Sequence, residues 1–153
     1  MLIWRCGSYS PLDGEGGMHA SGRWHTIGHR ITYCAYNPSA ALLETLAHLA
    51  GKSALVPGDI RYHVIELPES VLIERIDESS LPANWKSHES QTRAVGDKWL
   101  ISGSTAVLEV PSVLTPQTFN ILLNPGHPES ARITVLKSIP YPLDSRLVVN
   151  LKS

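Results

Sequence analysis

Cysteine is scarce in this sequence, which removes one common way of holding a small domain together. The 153 residues contain two cysteines, Cys6 and Cys34, and neither belongs to a Cys-x-x-Cys pair. Two isolated thiols are too few for a disulfide scaffold, and they do not have the spacing of zinc ligands. We therefore expect both cysteines to be reduced.

An excess of positive charge is also absent. The sequence has 13 basic and 14 acidic residues, a net charge of −1 with the histidines neutral. This balance argues against direct nucleic-acid binding through bulk electrostatics. No basic segment followed by an apolar run opens the sequence, and no stretch approaches the ~18 apolar residues of a membrane helix. We expect a soluble cytoplasmic protein without membrane contact.

Enough apolar sequence is present for one hydrophobic core. The composition is 42% hydrophobic and 18% charged, and no repeat or linker divides the chain. Its length is that of one ordinary domain, since single cores typically run to roughly 100–150 residues. We predict a single domain over residues 1–153, in which the residues after about Tyr141 form a surface tail.

Hydrophobic periodicity predicts more strands than helices. The predicted strands are Leu2–Cys6, Arg30–Tyr36, Ile60–Leu67, Val71–Ile76, Thr105–Val110 and Ile133–Leu136, whereas Leu114–Pro128 is predicted to be loop. A helix is predicted over Glu89–Ile101, with Thr92, Val95 and Trp99 on one face. Since most connections are not strand–helix–strand units, we predict an α+β fold, with a mixed or antiparallel β core and flanking helices.

The clearest helix is predicted over Pro38–Ala50. Asn37 suits the N-cap, Pro38 suits the first helical position, and Gly51 suits the position just past the end. A helical spacing places one apolar stripe on this segment, consisting of Leu42, Leu43, Leu46, Ala47 and Ala50. Glu44 lies at the edge of that stripe, where it is neither plainly solvated nor plainly buried.

Three familiar kinds of site do not fit the sequence. The glycine-rich loop at residues 13–17 has His19 where a dinucleotide-binding fingerprint needs its third glycine. His25 and His29 are four residues apart, but the glycine between them argues against a helical metal site, and we predict no metal. The Gly-x-Ser-x-Gly elbow of serine hydrolases is absent.

Four polar residues remain at suggestive positions. Arg5 is near the end of a predicted strand, Arg23 lies between a glycine and a tryptophan, and Tyr33 shares a strand face with apolar residues. Together with Glu44 they suit an anionic ligand that carries a flat ring, because guanidinium forks match phosphate oxygens and aromatic faces stack on heterocycles. The alternative is that the arginines pair with surface acids, Tyr33 fills core and Glu44 is solvated. Spacing alone favours that alternative.

Longer stretches of the sequence resemble a known family. The stretches are Ser-Gly-Arg-Trp-His at 21–25, Ile-Thr-Tyr-Cys-Ala at 31–35 and Ala-Leu-Leu-Glu-Thr-Leu-Ala-His at 41–48, joined by Trp4-Arg5, Val110-Pro111-Ser112, Asn124-Pro125 and His127-Pro128. In this order and at these spacings they resemble the RES domain, the toxin half of RES–Xre toxin–antitoxin systems. Many members carry Asn where this chain has His25, so the resemblance assigns no role to that histidine.

The resemblance implies a fold, a substrate and a set of site residues. RES domains are similar to diphtheria-toxin-like ADP-ribosyltransferases, and known members consume NAD⁺ by hydrolysis, by phosphorolysis or by transfer of ADP-ribose to a protein. Arg23, Glu44 and Ser112 match the residues that name the family, and Arg5 and Tyr33 match further cleft residues. The implied roles are catalysis for Glu44, Arg23 and Tyr33, and NAD⁺ binding for Arg5, Arg23, Tyr33 and Ser112. NAD⁺ is then a substrate, and no separate cofactor is implied.

The resemblance also implies a partner and leaves alternatives open. The partner is an Xre-type antitoxin with a helix-turn-helix, expected to cover the cleft and to make any DNA contact itself. A homodimer within the complex is compatible with the sequence, which does not set the stoichiometry. ADP-ribosyl transfer to a protein is the alternative within enzymes, and a non-catalytic binding module is the alternative outside them. The sequence does not identify the acceptor of the ADP-ribosyl group.

Overall fold

The computed structural model describes residues 1–50 and 58–148, with the side chain of residue 148 left aside. In these ranges it has seven strands and three α-helices: β1 (Leu2–Gly7), β2 (Thr32–Ala35), α1 (Pro38–Leu49), β3 (Arg61–Glu66), β4 (Ile73–Arg75), α2 (Glu89–Ser102), β5 (Val107–Pro111), β6 (Phe119–Leu123), β7 (Thr134–Pro140) and α3 (Ser145–Val148). The strands form one sheet in the order β4-β5-β6-β2-β1-β3-β7, antiparallel except for the parallel pair β4–β5. The predicted single-domain α+β fold is confirmed.

The pairing between β1 and β2 is the shortest in the sheet. These strands pair through Trp4 and Ala35, whereas β1 pairs with β3 along its whole length. Helix α1 covers this junction: Ala41 packs with Ala35 and Cys6, and the Thr45 hydroxyl donates to the Cys6 carbonyl at 3.1 Å. The helix that carries Glu44 is thereby fixed over the middle of the sheet.

The two faces of the sheet differ in what covers them. The helix face carries Trp4, Cys6, Tyr33, Ala35, Leu108, Val110, Asn120 and Leu122 and is covered by α1 and α2. The loop face carries Ile3, Arg5, Cys34, His63, Ile65, Val107, Glu109 and Ile121 and is covered by connecting segments that contribute Leu12, Val71 and Ile133. Because side chains alternate along a strand, each strand contributes to both faces.

Helix α1 begins as predicted, but it buries only part of the predicted stripe. Asn37 caps it by accepting the Ala40 N–H at 2.8 Å, and Pro38 is its first residue. Ala41 is the buried residue of the helix, whereas Leu43 is 40% exposed and Ala47 and Ala50 are also exposed. The predicted stripe is therefore only partly correct: Leu42 and Leu46 are half-buried and Leu42 packs against the cluster, but the helix approaches the sheet most closely at Ala41. The predicted role of Gly51 lies outside the described residues.

Helix α2 is confirmed and fixes the segment around residue 24. Its buried side includes Thr92 and Trp99, as predicted, together with Gly96. A β-carbon on Gly96 would lie 1.7 Å from the Trp24 carbonyl oxygen, so only glycine permits this approach. The Thr92 hydroxyl donates to the Arg23 carbonyl at 2.6 Å. Residues 23 and 24 are thus held by the helix rather than left in a free loop.

The structure differs most from the sequence-based prediction at β6. Phe119–Leu123 is a central, buried strand inside the stretch that was predicted to be loop. Strand β5 includes Pro111 as its last residue, one residue beyond the predicted end. Strand β7 likewise extends to Pro140, beyond its predicted end. Strand β2 is shorter than predicted. In the predicted tail Tyr141 is 63% exposed, whereas Leu143 packs against the cluster under α1.

Three further observations bear on the excluded classes. The glycine-rich segment forms a short 3₁₀ helix over Glu15–Met18 instead of a strand-to-helix phosphate loop. Cys6 and Cys34 are both free and buried, and burial raises the pKa of Cys34 to about 12. Among the described residues, no helix is long and apolar enough to cross a membrane.

Candidate active site

Two side chains on the sheet side of α1 hold the Glu44 carboxylate. The Asn120 side-chain amide donates to Glu44 Oε1 at 2.7 Å, and the Ser112 hydroxyl donates to the same oxygen at 3.1 Å. Asn120 is the second residue of β6, Ser112 is the residue after β5, and both are buried. Hydrogen bonds to an ionised group are stronger than neutral ones, so the two donors fix a half-buried carboxylate in one position.

Two oxygens at this point have no hydrogen-bond partner among the residues that the structure describes. Both hydrogen bonds to Glu44 end on Oε1, and no described residue donates to Oε2. Asn120 Oδ1 is buried and lacks a hydrogen-bond partner among the described residues. An unsatisfied buried acceptor costs about 1–3 kcal/mol. Native structures hold only a few such groups per 100 residues, so this oxygen marks a candidate point of contact with a ligand.

The Tyr33 hydroxyl is fixed by a second set of hydrogen bonds on the same face. It accepts the Trp24 N–H at 3.1 Å and lies 2.8 Å from His25 Nδ1. His25 Nε2 lies 2.8 Å from the Ala20 carbonyl, which can only accept, so Nε2 carries the proton and Nδ1 accepts from Tyr33. Burial raises the pKa of Tyr33 and lowers the pKa of His25. The phenol is therefore a neutral, oriented ring.

Arg23 lies beside Tyr33 in a cluster of charged groups at the start of α2. Its guanidinium donates to the Lys86 carbonyl at 2.9 Å and lies 3.5 Å from Glu89. Arg93 contacts the same carboxylate at 2.6 Å and donates to the Gly22 carbonyl at 2.8 Å. The positive charges of Arg93 and Arg23 also oppose the rise in the Tyr33 pKa. Glu89 thus holds two guanidinium groups together.

The carboxylate group and the arginine group share one surface. Tyr33 pairs with Leu122 and Ala35 pairs with Asn120, so Tyr33 and Asn120 are diagonal neighbours on adjacent strands. Diagonal neighbours on one sheet face are about 7–8 Å apart. The helix face therefore has an acidic end, where Asn120 bonds Glu44, and a basic end, where the Tyr33 hydroxyl accepts from Trp24, the residue after Arg23.

The structure does not bring Arg5 to this surface. Arg5 pairs with His63 on the loop face, where its guanidinium donates to the carbonyls of Tyr9 and Pro11 at 2.9 and 3.0 Å. Burial lowers the Arg5 pKa, and Asp13 nearby opposes that shift. In the described residues no hydrogen bond or ion pair joins Glu44 to either arginine. Of the five residues proposed from the sequence, Glu44 and Ser112 are in contact, and Tyr33 and Arg23 lie on the same face.

A surface hollow of about 660 Å³ lies elsewhere, between residues 12–13, Arg30 and the segment 125–131. None of the five site residues proposed from the sequence is among the residues that line it. We therefore place the candidate site by the unpartnered oxygens at Glu44 and Asn120 rather than by the size of this hollow. Nor does the described part of the chain bring together three or more residues able to hold a metal ion.

Two residues of this surface were not predicted from the sequence. Asn120 lies in the strand that was predicted to be loop, and Arg93 lies on a helix where it reads as a solvated charge. The spacing of Arg93 from Glu89 by one helical turn was a signal for their ion pair. No local pattern marks Asn120, because its partner Glu44 is 76 residues away in the sequence.

Comparisons with known proteins agree with this architecture. Residues 2–144 match the RES domain family. A protein of Pseudomonas putida named Toxin Res is 40% identical over 152 residues, and the match covers 96% of this chain and 99% of that protein. A protein of Sphingobium sp. strain YBL2 named Prs ADP-ribosylating toxin is 36% identical over 142 residues, covering 90% of this chain and 86% of that protein.

A solved structure extends the comparison to the fold. The toxin–antitoxin complex MbcT–MbcA of M. tuberculosis contains a chain that superposes with a TM-score of 0.72, covering 99% of this chain and 88% of that one at 17% identity. The family match spans nearly the whole chain, and relatives above 30% identity cover more than two thirds of it. The chain therefore belongs to the RES-domain family, the toxin component of toxin–antitoxin systems.

Proposed function

We propose that this chain consumes NAD⁺ by breaking the bond between nicotinamide and ribose. The observation that carries the proposal is the Glu44 carboxylate, on the face that also carries Tyr33 and Arg23. Asn120 and Ser112 hold one of its oxygens, and the other has no partner among the described residues. Membership of the RES family supports the same substrate. NAD⁺ is consumed as substrate, and the reaction as written needs no metal ion or further cofactor.

The chemistry explains why one carboxylate is enough. When the C1′–N1 bond breaks, its electron pair moves onto the pyridinium nitrogen, and nicotinamide leaves as a neutral molecule without an added proton. The ribosyl C1′ becomes oxocarbenium-like, as in glycoside cleavage. The unpartnered oxygen of Glu44 stabilises this positive charge or accepts a ribose hydroxyl proton in a hydrogen bond. An acceptor oxygen then bonds to C1′ and loses its proton.

The remaining residues bind and orient the dinucleotide. Arg23, together with Arg93, binds the pyrophosphate, because a guanidinium fork matches two phosphate oxygens and the Glu89 carboxylate already gathers both groups. Tyr33 stacks its oriented ring on the nicotinamide. Ser112 orients Glu44 through the hydrogen bond at 3.1 Å. Arg5 was expected to bind NAD⁺ as well; from the loop face it holds the segment that follows β1.

A second candidate reaction differs in the acceptor alone. Water as acceptor gives ADP-ribose. Phosphate gives the ester of ADP-ribose at the same ribosyl carbon, and a protein side chain gives an ADP-ribosylated protein. The relative from Sphingobium is named an ADP-ribosylating toxin, and at 36% identity this favours protein modification as the second candidate. Glu44 serves all three in the same way, because the bond that breaks is the same.

We also propose an antitoxin partner in the cytoplasm. The fold neighbour was solved as a toxin–antitoxin complex. The expected partner is an Xre-type protein with a helix-turn-helix, which covers the helix face and carries any DNA contact. Release from it would permit loss of NAD⁺ and arrest of growth.

Product analysis tests the proposal. Purified protein is incubated with NAD⁺ labelled in the adenine, with and without phosphate and with and without cell extract. The proposal predicts free nicotinamide wherever the acceptor is present: in every reaction for water, only with phosphate for phosphate, and only with extract for a protein target. The label then appears in ADP-ribose, in the phosphate ester or on protein, respectively. Intact NAD⁺ in all reactions would contradict it and leave the non-catalytic binding module.

A further inference from the structure

Asn120 is a polar residue in the otherwise apolar strand β6. Strand β6 reads Phe-Asn-Ile-Leu-Leu, and the residues that pair with Asn120 on either side are Ala35 and Val110, both buried. Asparagine is depleted in strands, and a buried amide is favourable only when its hydrogen bonds are made. Here the amide N–H is bonded, whereas the amide oxygen has no partner in the part of the chain that the structure describes.

The contact with Glu44 explains why the amide oxygen stays unpaired. Rotating the amide by half a turn would bring Asn120 Oδ1 against Glu44 Oε1, and an ionised carboxylate has no proton to donate. The carboxylate therefore fixes the amide orientation, and the unpaired oxygen follows from it. A leucine has nearly the same shape and would fill this position without an unpaired group. Packing alone gives no reason for an amide here.

Ser112 shows what a structural donor looks like at the same carboxylate. Its hydroxyl also accepts the backbone N–H groups of Leu114 and Thr115, at 3.1 and 3.3 Å, and so closes the turn after β5. The side-chain amide N–H of Asn120 has no other acceptor in the described residues, and its bond to Glu44 is the shorter of the two. Asn120 is therefore the donor dedicated to Glu44.

We propose that Asn120 is a positioning residue for Glu44. By binding Oε1 it holds the carboxylate in one rotamer and leaves Oε2 free for the ribose of the substrate. This inference rests on the proposed function, since it assigns Asn120 a part in the same cleavage. Asn120 acts through Glu44 and contacts no reacting atom.

The test compares kcat, KM and melting temperature for Asn120→Leu and the wild type, with nicotinamide release as the assay. A misplaced carboxylate should lower kcat by about 10²-fold, because errors of about 1 Å at the reacting centre have effects of that size. KM should change little, since the groups that bind the pyrophosphate are untouched. The melting temperature should stay or rise, because the unpaired buried oxygen is gone.

A second variant and a control complete the experiment. Asn120→Asp keeps the shape but sets a second carboxylate against Glu44, so kcat should fall further than in Asn120→Leu; it decides the matter if the leucine variant fails to fold. Ile121→Val, on the opposite face of β6, should keep kcat while losing a little stability. Wild-type kcat in both Asn120 variants would overturn the role of Asn120 alone. An inactive wild type would overturn the proposed function and, with it, this inference.

Discussion

The two faces of the sheet bury polar groups in different ways. On the loop face, His63 bonds Ser138 and the Gly7 carbonyl at 2.7 and 3.0 Å, and Glu109 bonds Arg75 at 2.5 Å. On the helix face, Glu44 keeps one oxygen without a partner among the described residues, and so does Asn120. His63 and Glu109 on the loop face therefore support the structure, whereas Glu44 and Asn120 on the helix face each keep an oxygen that is available to a ligand. Each of the following variants tests that distinction.

The largest effect is expected for Glu44→Gln. The glutamine carbonyl still accepts from Asn120 and Ser112, so the fold and the melting temperature should be retained. The negative charge that stabilises the ribosyl cation is lost, and nicotinamide release should fall by about 10²–10⁴-fold. A variant with wild-type turnover would remove Glu44 from the mechanism and make the helix face no different from the loop face.

Gly96→Ala should disturb the helix face through its framework. The added β-carbon would lie 1.7 Å from the Trp24 carbonyl oxygen, so the segment that carries Arg23 must move away from α2. Overpacking of this kind costs about 1–3 kcal/mol of unfolding free energy, measurable by urea denaturation. Gly16→Ala is the matched control, because a β-carbon there would meet nothing within 4 Å. Equal stability of the two variants would contradict the close packing.

Arg23→Lys tests the basic end of the helix face. Lysine keeps the charge but loses the planar fork, so KM for NAD⁺ should rise by about tenfold while stability changes less. Steady-state kinetics and thermal melting of the same preparation separate the two effects. An unchanged KM would show that the pyrophosphate binds elsewhere.

Arg5→Lys makes the same chemical change on the other face. Its two carbonyl contacts, to Tyr9 and Pro11, should be weakened, with a loss of about 1 kcal/mol in stability. KM for NAD⁺ should stay at the wild-type value, in contrast to Arg23→Lys. A rise in KM equal to that of Arg23→Lys would restore Arg5 to the substrate site and contradict the separation of the two faces.

The smallest effect concerns pH. Burial lowers the pKa of His63, on the loop face, and of His25, on the helix face. The unfolded chain then binds more protons, so their stabilisation is present above the unfolded value of about 6.5 and is lost as pH falls towards the folded values. The free energy of unfolding should decrease from pH 7.5 to 5.5, and His63→Asn should reduce that slope. A flat profile would contradict the neutral, hydrogen-bonded histidines.

Local signals in the sequence were sufficient for part of the fold. Asn37 and Pro38 correctly predicted the start of α1, because capping depends on residues within one turn. Strand β6 was missed because it is buried on both faces and therefore shows no alternation, and because Pro116 and Pro125 flank it. The buried side of α1 was predicted only in part: Leu42 packs against the cluster as the stripe implied, but the fully buried residue is the small Ala41.

The site shows a similar division. The family resemblance named Glu44 and Ser112, and the structure places them in contact at 3.1 Å. It gave no means of assigning Arg5 to a face, because a shift of one residue along a strand exchanges the two faces. The position of Asn120 beside Glu44 depends on the pairing of β6 with β2, which the spacing of residues in the sequence does not reveal.

The most direct measurement is a crystal structure of the Glu44→Gln variant with NAD⁺ bound. The account predicts the nicotinamide ribose on the helix face, with C1′ within about 3–4 Å of the residue 44 side chain and the pyrophosphate at Arg23. A dinucleotide seated on the loop face beside Arg5, or in the hollow beside Arg30, would contradict it.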